Sequence, residues 1–328
     1  MVFFGKIVAA IFAWGAYAVL RLVGWKRKTV LANAKHVAGA FSQAIPNAFS
    51  TASNAAPDAL NAAPDASTAV PVNYDELLFN LTRHVGELLF CFGTFKKLPH
   101  DFFAYPCCVD GWTFDIAEGS APVLEKMRKG GIFLTAHYGN YEAMGPWLCR
   151  LGIPLVASYI PVKPKWLNNI LERKIRAVDG RSYSVDARTP RDFLRILNDG
   201  KLFCLLSDQD SRIPSALPGT LLGQSANVNP LPDFLLEHRP QTPVFICWME
   251  EVCGVRVLHA VEVECAQVPG AAHLVSPAQS NGASLADSSI VNTQFNKWLE
   301  QRILENPNLW YSFTHRRFYS RSPEIYGG

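Results

Sequence analysis

The chain has 328 residues, 49% of them apolar and 18% charged, a globular composition with a lean towards membranes and length enough for a sizeable core. A net charge of +3 and a pI near 8.4 suit anionic lipid or acidic partners and exclude the strongly basic footprint of a nucleic-acid binder. Eight scattered cysteines form no CxxC pair, and several sit in apolar runs such as "LFCLLS" and "VFICWM"; this favours buried reduced thiols over a disulfide framework or zinc site and points to a reducing compartment.

The first predicted element is an apolar helix. An uncharged run from Ile7 to Leu20 is flanked by Lys6 and Arg21, whose stems can snorkel to headgroups, and Val2 to Trp25 is about long enough to cross a bilayer. Lys6 precedes the run, whereas Arg21, Lys26, Arg27 and Lys28 follow it, which places the remainder in the cytoplasm by the positive-inside rule. A cleaved signal peptide carries its charge in front, so a membrane anchor or interfacial helix over 1–28 is the better reading. Residues 29–73 then read as a flexible spacer: from Gly39 on, Ala, Ser, Asn and Pro dominate, and "NAAPDA" occurs twice.

From Tyr74 the pattern becomes globular, giving one domain over 74–328. "ELLFNLTRHVGELLFCFG" has helical spacing, and "DGWTFDIAEG" reads as a short strand with a turn. Strand and helix then alternate: strand 131–136, helix from Tyr141 to Arg150, strand 154–160, helix 165–178, strand 182–186, helix from Pro190 to Asn198, strand 201–207, helix near 228–238 and strand 243–249. "VRVLHAVEVEC" follows as an outer strand, and an amphipathic helix within 285–307 closes the domain. The alternation predicts an α/β fold, a mainly parallel or mixed sheet flanked by helices.

"TAHYGNYEAMG" carries the candidate chemistry. His137 follows a buried strand, Asn140 suits the N-cap of a helix starting at Tyr141, and Glu142 falls in the first turn, able to reach back to the imidazole. A carboxylate-oriented histidine deprotonates hydroxyls. The competing reading is a helix cap, since the macrodipole alone favours glutamate there. "LLSDQDS" ends a second strand and brings Asp208, Gln209 and Asp210 to the same sheet edge, either as site residues or as a solvated loop. Arg173 and Arg176, three apart, share a helix face suited to phosphate or carboxylate, or to plain solvation. The tail "NPNLWYSFTHRRFYSR" mixes aromatic and basic residues as membrane interfaces do, and equally suits a closing segment. Nucleophile-elbow, P-loop and dinucleotide signatures are missing.

Taken in order over about 75–320, these segments resemble the bacterial lipid A late acyltransferases, the lauroyl and myristoyl transferases within the lysophospholipid acyltransferase group. The likeness rests on the anchoring amino terminus, "AHYGNYE" as an HxxxxE motif, "NNILERKIRAVDG", "RDFLRILNDGKLFCLLSDQD", "LPDFLLEHRPQTPVFICWM" and the ending from Pro307 to Arg321. It implies a glycerol-phosphate acyltransferase-like fold at the bacterial inner membrane, with the catalytic domain facing the cytoplasm. In it His137 would be the general base and Glu142 its orienting, charge-stabilising partner. Asn140, Arg176, Asp208 and Gln209 would bind substrate or shape the site. The acyl donor would be acyl carrier protein or acyl-CoA and the acceptor a membrane glycolipid such as a lipid A precursor, without metal or other cofactor. Two departures stand out: the Ala/Pro/Asn spacer, and the segment after "DQD", where Gly223 is the best match to the family's loop. A lysophospholipid or other glycolipid acyltransferase is the alternative enzyme, and a membrane-tethered binding protein the alternative without catalysis.

Overall fold

In the computed structural model, which describes residues 2–44, 72–159, 161, 163–263 and 290–327, the expected apolar helix spans Val2–Leu22 (α1). Its Gly5–Leu22 stretch is long and apolar enough to cross a membrane, with a mean hydropathy of 1.4. A second helix, Arg27–Ala44 (α2), follows a short turn, and a third, Tyr74–Phe95 (α3), starts where Asn73 accepts hydrogen bonds from the backbone N–H groups of Asp75 and Glu76. The spacer expected from residue 29 therefore differs over 29–44. These residues are helical because Val30, Asn33 and Val37, spaced three and four apart, bury one face against the domain. The "NAAPDA" repeats lie outside the described residues.

α1 runs along α3. Ala9 and Ala13 are buried in the contact, and a Cβ at Gly86 would meet the Ala9 carbonyl oxygen at 2.7 Å, so the two backbones touch only because residue 86 has no side chain. Lys6 lies 4.7 Å from the centre of the Trp112 ring and Arg21 pairs with Asp75 at 2.8 Å. Both cations are held by the domain, in place of the snorkelling position expected of them. The outer stripe of Ile7, Ile11, Trp14 and Leu22 is exposed.

The remaining elements are β1 (Cys107–Val109), β2 (Trp112–Ile116), α4 (Ser120–Met127), β3 (Gly131–Thr135), α5 (Tyr141–Arg150), β4 (Leu155–Ser158), α6 (Lys165–Ile170), β5 (Ala177–Val178), β6 (Arg181–Ser182), β7 (Ser184–Val185) and α7 (Pro190–Asn198). There follow β8 (Leu202–Leu206), β9 (Leu217–Leu221), β10 (Gln224–Val228), α8 (Leu231–His238), β11 (Val244–Val252), β12 (Val255–Val263) and α9 (Ile290–Glu305). Every residue of β3 is buried, as a central strand covered on both faces requires. α7 begins with a capping box between Thr189 and Asp192 and carries Pro190 at its first position.

Among the described residues eight strands form one mixed sheet in the order β1-β2-β12-β11-β3-β8-β4-β7, with an apolar core on each face. The α/β class is as the alternation predicts. β12 is not an outer strand: it pairs antiparallel with β11 and parallel with β2, which with β1 extends the sheet beyond it. Residues 217–228, read from sequence only as a loop, form the hairpin β9–β10, whose two-residue turn Leu222-Gly223 has φ of 53° and 71°. The helix expected over 165–178 stops early, passing from α6 into a π-turn at Leu171–Ile175.

Candidate active site

The chain leaves β3 towards β4 on one side and leaves β8 towards β11 on the other, so the carboxyl ends of these neighbouring strands form a topological switch point, where open α/β sheets leave a crevice. Thr135 pairs with Leu206, and two residues further along each strand stand His137 and Asp208. The register alone brings them level.

His137 meets Asp208 twice. Its backbone N–H donates to Asp208 Oδ2 at 3.0 Å, and its Nδ1 lies 2.8 Å from Oδ1. A carboxylate only accepts, so Nδ1 carries the proton and Nε2 is left as the basic nitrogen. Asp208 Oδ2 also accepts from Ser312 Oγ at 2.6 Å and Trp310 Nε1 at 2.9 Å, and the residue has no exposed surface. Burial works against the Asp208 carboxylate, but the His137 ring and these donors prevail and hold it well below the usual carboxylate range. For His137 burial lowers the pKa, and Asp208, with a smaller contribution from Glu142, raises it above the ordinary value. Tyr141 packs edge-on against the imidazole at 5.0 Å.

The expected partnership of His137 with Glu142 is therefore corrected: the orienting carboxylate is Asp208. Glu142 stands in the first turn of α5 but is held by Arg176, whose guanidinium approaches it at 2.6 Å and 3.4 Å. Arg176 and Arg173 do not share a face. The π-turn adds a residue to the turn between them, so Arg173 is exposed while Arg176 turns inward to Glu142.

His137, Glu142 and Arg176 line one cavity of about 760 Å³. Phe133, Thr135 and His137 alternate along one face of β3 and its extension, while Met144 and Gly145 of α5, Leu155 and Ala157 of β4, and Cys204 of β8 form much of the inner wall. From Phe133 to His137 the strand rise gives the cavity a depth of about 13 Å. His137, Glu142 and Arg176 stand together at one end, and at the level of Phe133 the register sets Cys204, Ala157 and Ser184 abreast, so the inner wall is mainly apolar with Ser184 and Tyr183 among it. Gly145 makes room for Tyr183, since a Cβ there would run into the Tyr183 hydroxyl.

Asn140 occupies the N-cap position of α5, but its side chain does not cap. Its amide donates to Glu87 Oε2 at 2.9 Å, and Glu87 Oε1 accepts from Arg256 at 2.9 Å. Asn140 faces a second, smaller polar cavity together with His84, whose pKa burial pushes down to about 4. Gln209 is half-buried beyond Asp208 and lines neither space, and Asp210 accepts from Arg212 and Ser320. Of the six candidate residues, three share the large cavity and Asp208 supports it from behind.

Of the two readings of the tail, the structure has the closing segment: its aromatic residues turn into the core while His315, Arg316 and Arg321 stay exposed. Trp310, Phe313 and Phe318 are fully buried, Tyr311 N–H donates to the His137 carbonyl at 2.9 Å, and Gly139 N–H donates to Leu309 O at 3.0 Å. Gly139, at φ 57°, lets this loop close on β11, since a Cβ would meet the Met249 carbonyl oxygen at 2.6 Å. Trp310 and Ser312 are the site residues that sequence reasoning missed. Their signal was a serine within an aromatic run, a polar group that must find a buried partner. No family model matches the chain, and no curated protein matches it either.

Proposed function

We propose that the chain is an O-acyltransferase that moves a fatty acyl group from a thioester, on acyl carrier protein or coenzyme A, to a hydroxyl of a membrane glycolipid such as a lipid A precursor. One observation carries this reading: a histidine oriented by a buried carboxylate opens onto a deep, mainly apolar cavity. A base alone suits many reactions, but a base at the rim of a hydrocarbon-sized slot suits an acyl chain whose carbonyl stops at the rim.

In this reading Nε2 of His137 takes the proton of the acceptor hydroxyl as its oxygen attacks the thioester carbonyl carbon. The carbon–sulfur bond then breaks, and the leaving thiolate takes that proton back from the imidazolium. Asp208 fixes the tautomer and offsets the transient positive charge. The Glu142–Arg176 pair stands at the rim, where an incoming phosphate or carboxylate can compete for the guanidinium. The exposed apolar stripe of α1 supports placement at a membrane, and the basic residues after the apolar run favour the cytoplasmic side, which in this reading is that of a bacterial inner membrane. The overall architecture is in keeping with a glycerol-phosphate acyltransferase-like fold.

Mass spectrometry of membrane lipids from cells with the protein, without it and with His137→Ala tests the proposal. An acyl chain present only with the wild type supports it and names the acceptor: lipid A in the first reading, a phospholipid in the alternative. Identical lipids in all three would overturn it.

A further inference from the structure

Asn33 lies on α2 with no exposed surface, 280 residues in sequence from the nearer of the tail carbonyls it binds. Its amide donates to Phe313 O at 2.8 Å and to His315 O at 2.7 Å, and its own oxygen accepts from the Tyr326 hydroxyl. Phe313 lies in a single 3-10 turn, Tyr311–Thr314, too short to satisfy its carbonyl, and His315 caps that turn, its carbonyl accepting also from the Arg317 N–H at 2.9 Å. One NH₂ group has two donors, so asparagine meets both carbonyls, where alanine would leave Phe313 O an orphan and aspartate would set a charge against two acceptors. The turn so fixed supplies Ser312 to Asp208, and Trp310 immediately precedes it.

The pieces form one line: Asn33 holds the turn, the turn holds Asp208, and Asp208 holds His137. We infer that Asn33 is a positioning residue of the His137–Asp208 pair, acting through the tail turn it clamps, so that a helix from the membrane-proximal end sets the geometry of the base. The inference rests on the proposed base. An imidazolium gains from a carboxylate only while the two are held in register, and a loosened Ser312 admits water to Asp208 and weakens that hold.

Nuclear magnetic resonance of the full chain, labelled at histidine nitrogens, reads the pair directly. Asn33→Ala should broaden the His137 Nδ1–H resonance and lower the His137 titration midpoint by about half a pH unit or more. Tyr326→Phe, which frees the Asn33 amide to rotate and takes the Phe318 N–H partner from the same tail, keeps both carbonyl contacts and should do the same by less. Val37→Ala trims the same helix away from the carbonyls and should lower the melting temperature without moving the resonance. With a lauroyl thioester of acyl carrier protein and membrane lipid extract, Asn33→Ala should lower kcat about tenfold at unchanged KM. If Asn33→Ala and Tyr326→Phe leave the resonance where Val37→Ala leaves it, the positioning role is wrong. If Asp208→Asn also leaves it unmoved, the failure lies in the His137–Asp208 pairing, and the proposed base falls with it.

Discussion

Asp208 sits with no exposed surface and accepts from the His137 backbone, the His137 ring, Trp310 and Ser312, whereas Glu142 keeps 15% of its side chain exposed and meets Arg176. Both are carboxylates within electrostatic reach of one imidazole. The first is fixed from two distant parts of the chain and has no room to answer a substrate. The second faces the cavity in an ion pair that a ligand can open. Burial and donor count, more than closeness in sequence, decide which acid serves the base and which serves the ligand.

His137→Ala removes the group both acids act on and should lower turnover about a thousandfold while changing the melting temperature little; retained activity would abolish the contrast altogether. Asp208→Asn keeps the shape but loses the charge and disturbs the histidine tautomer, and should lower kcat about a hundredfold. In the wild type the base works only when unprotonated, so kcat/KM should fall about tenfold per pH unit below the His137 midpoint. Because Asp208 raises that midpoint, the descending limb should lie above the ordinary histidine value of 6.5, and Asp208→Asn should move it down. Glu142→Gln should change kcat only about two- to threefold and raise KM for the acceptor instead. A hundredfold loss of kcat in Glu142→Gln, with Asp208→Asn mild, would reverse the two assignments.

Much of the frame was legible in the sequence. The continuous apolar run of β3 and the helices read over Tyr141 to Arg150 and Pro190 to Asn198 rest on local signals, and each element lies where they put it. The histidine at the end of β3 was equally plain. Its partner was not, because four residues separate Glu142 from His137 along the chain, while Asp208 reaches it only through the register of β3 with β8. Helix α2 was hidden by alanine-rich composition, since two buried valines and the Asn33 amide, more than a broad apolar face, attach it. The β9–β10 turn uses Leu-Gly where Asn-Gly would have announced a hairpin.

The tail turn has a consequence for the order in which the protein becomes competent during synthesis. α1, α2 and His137 are made before Asp208, and Trp310 and Ser312 come more than a hundred residues after it. Until that stretch is made Asp208 lacks two of its donors and the core lacks Trp310, Phe313 and Phe318. A chain interrupted before Trp310 would therefore leave His137 against an unsupported carboxylate.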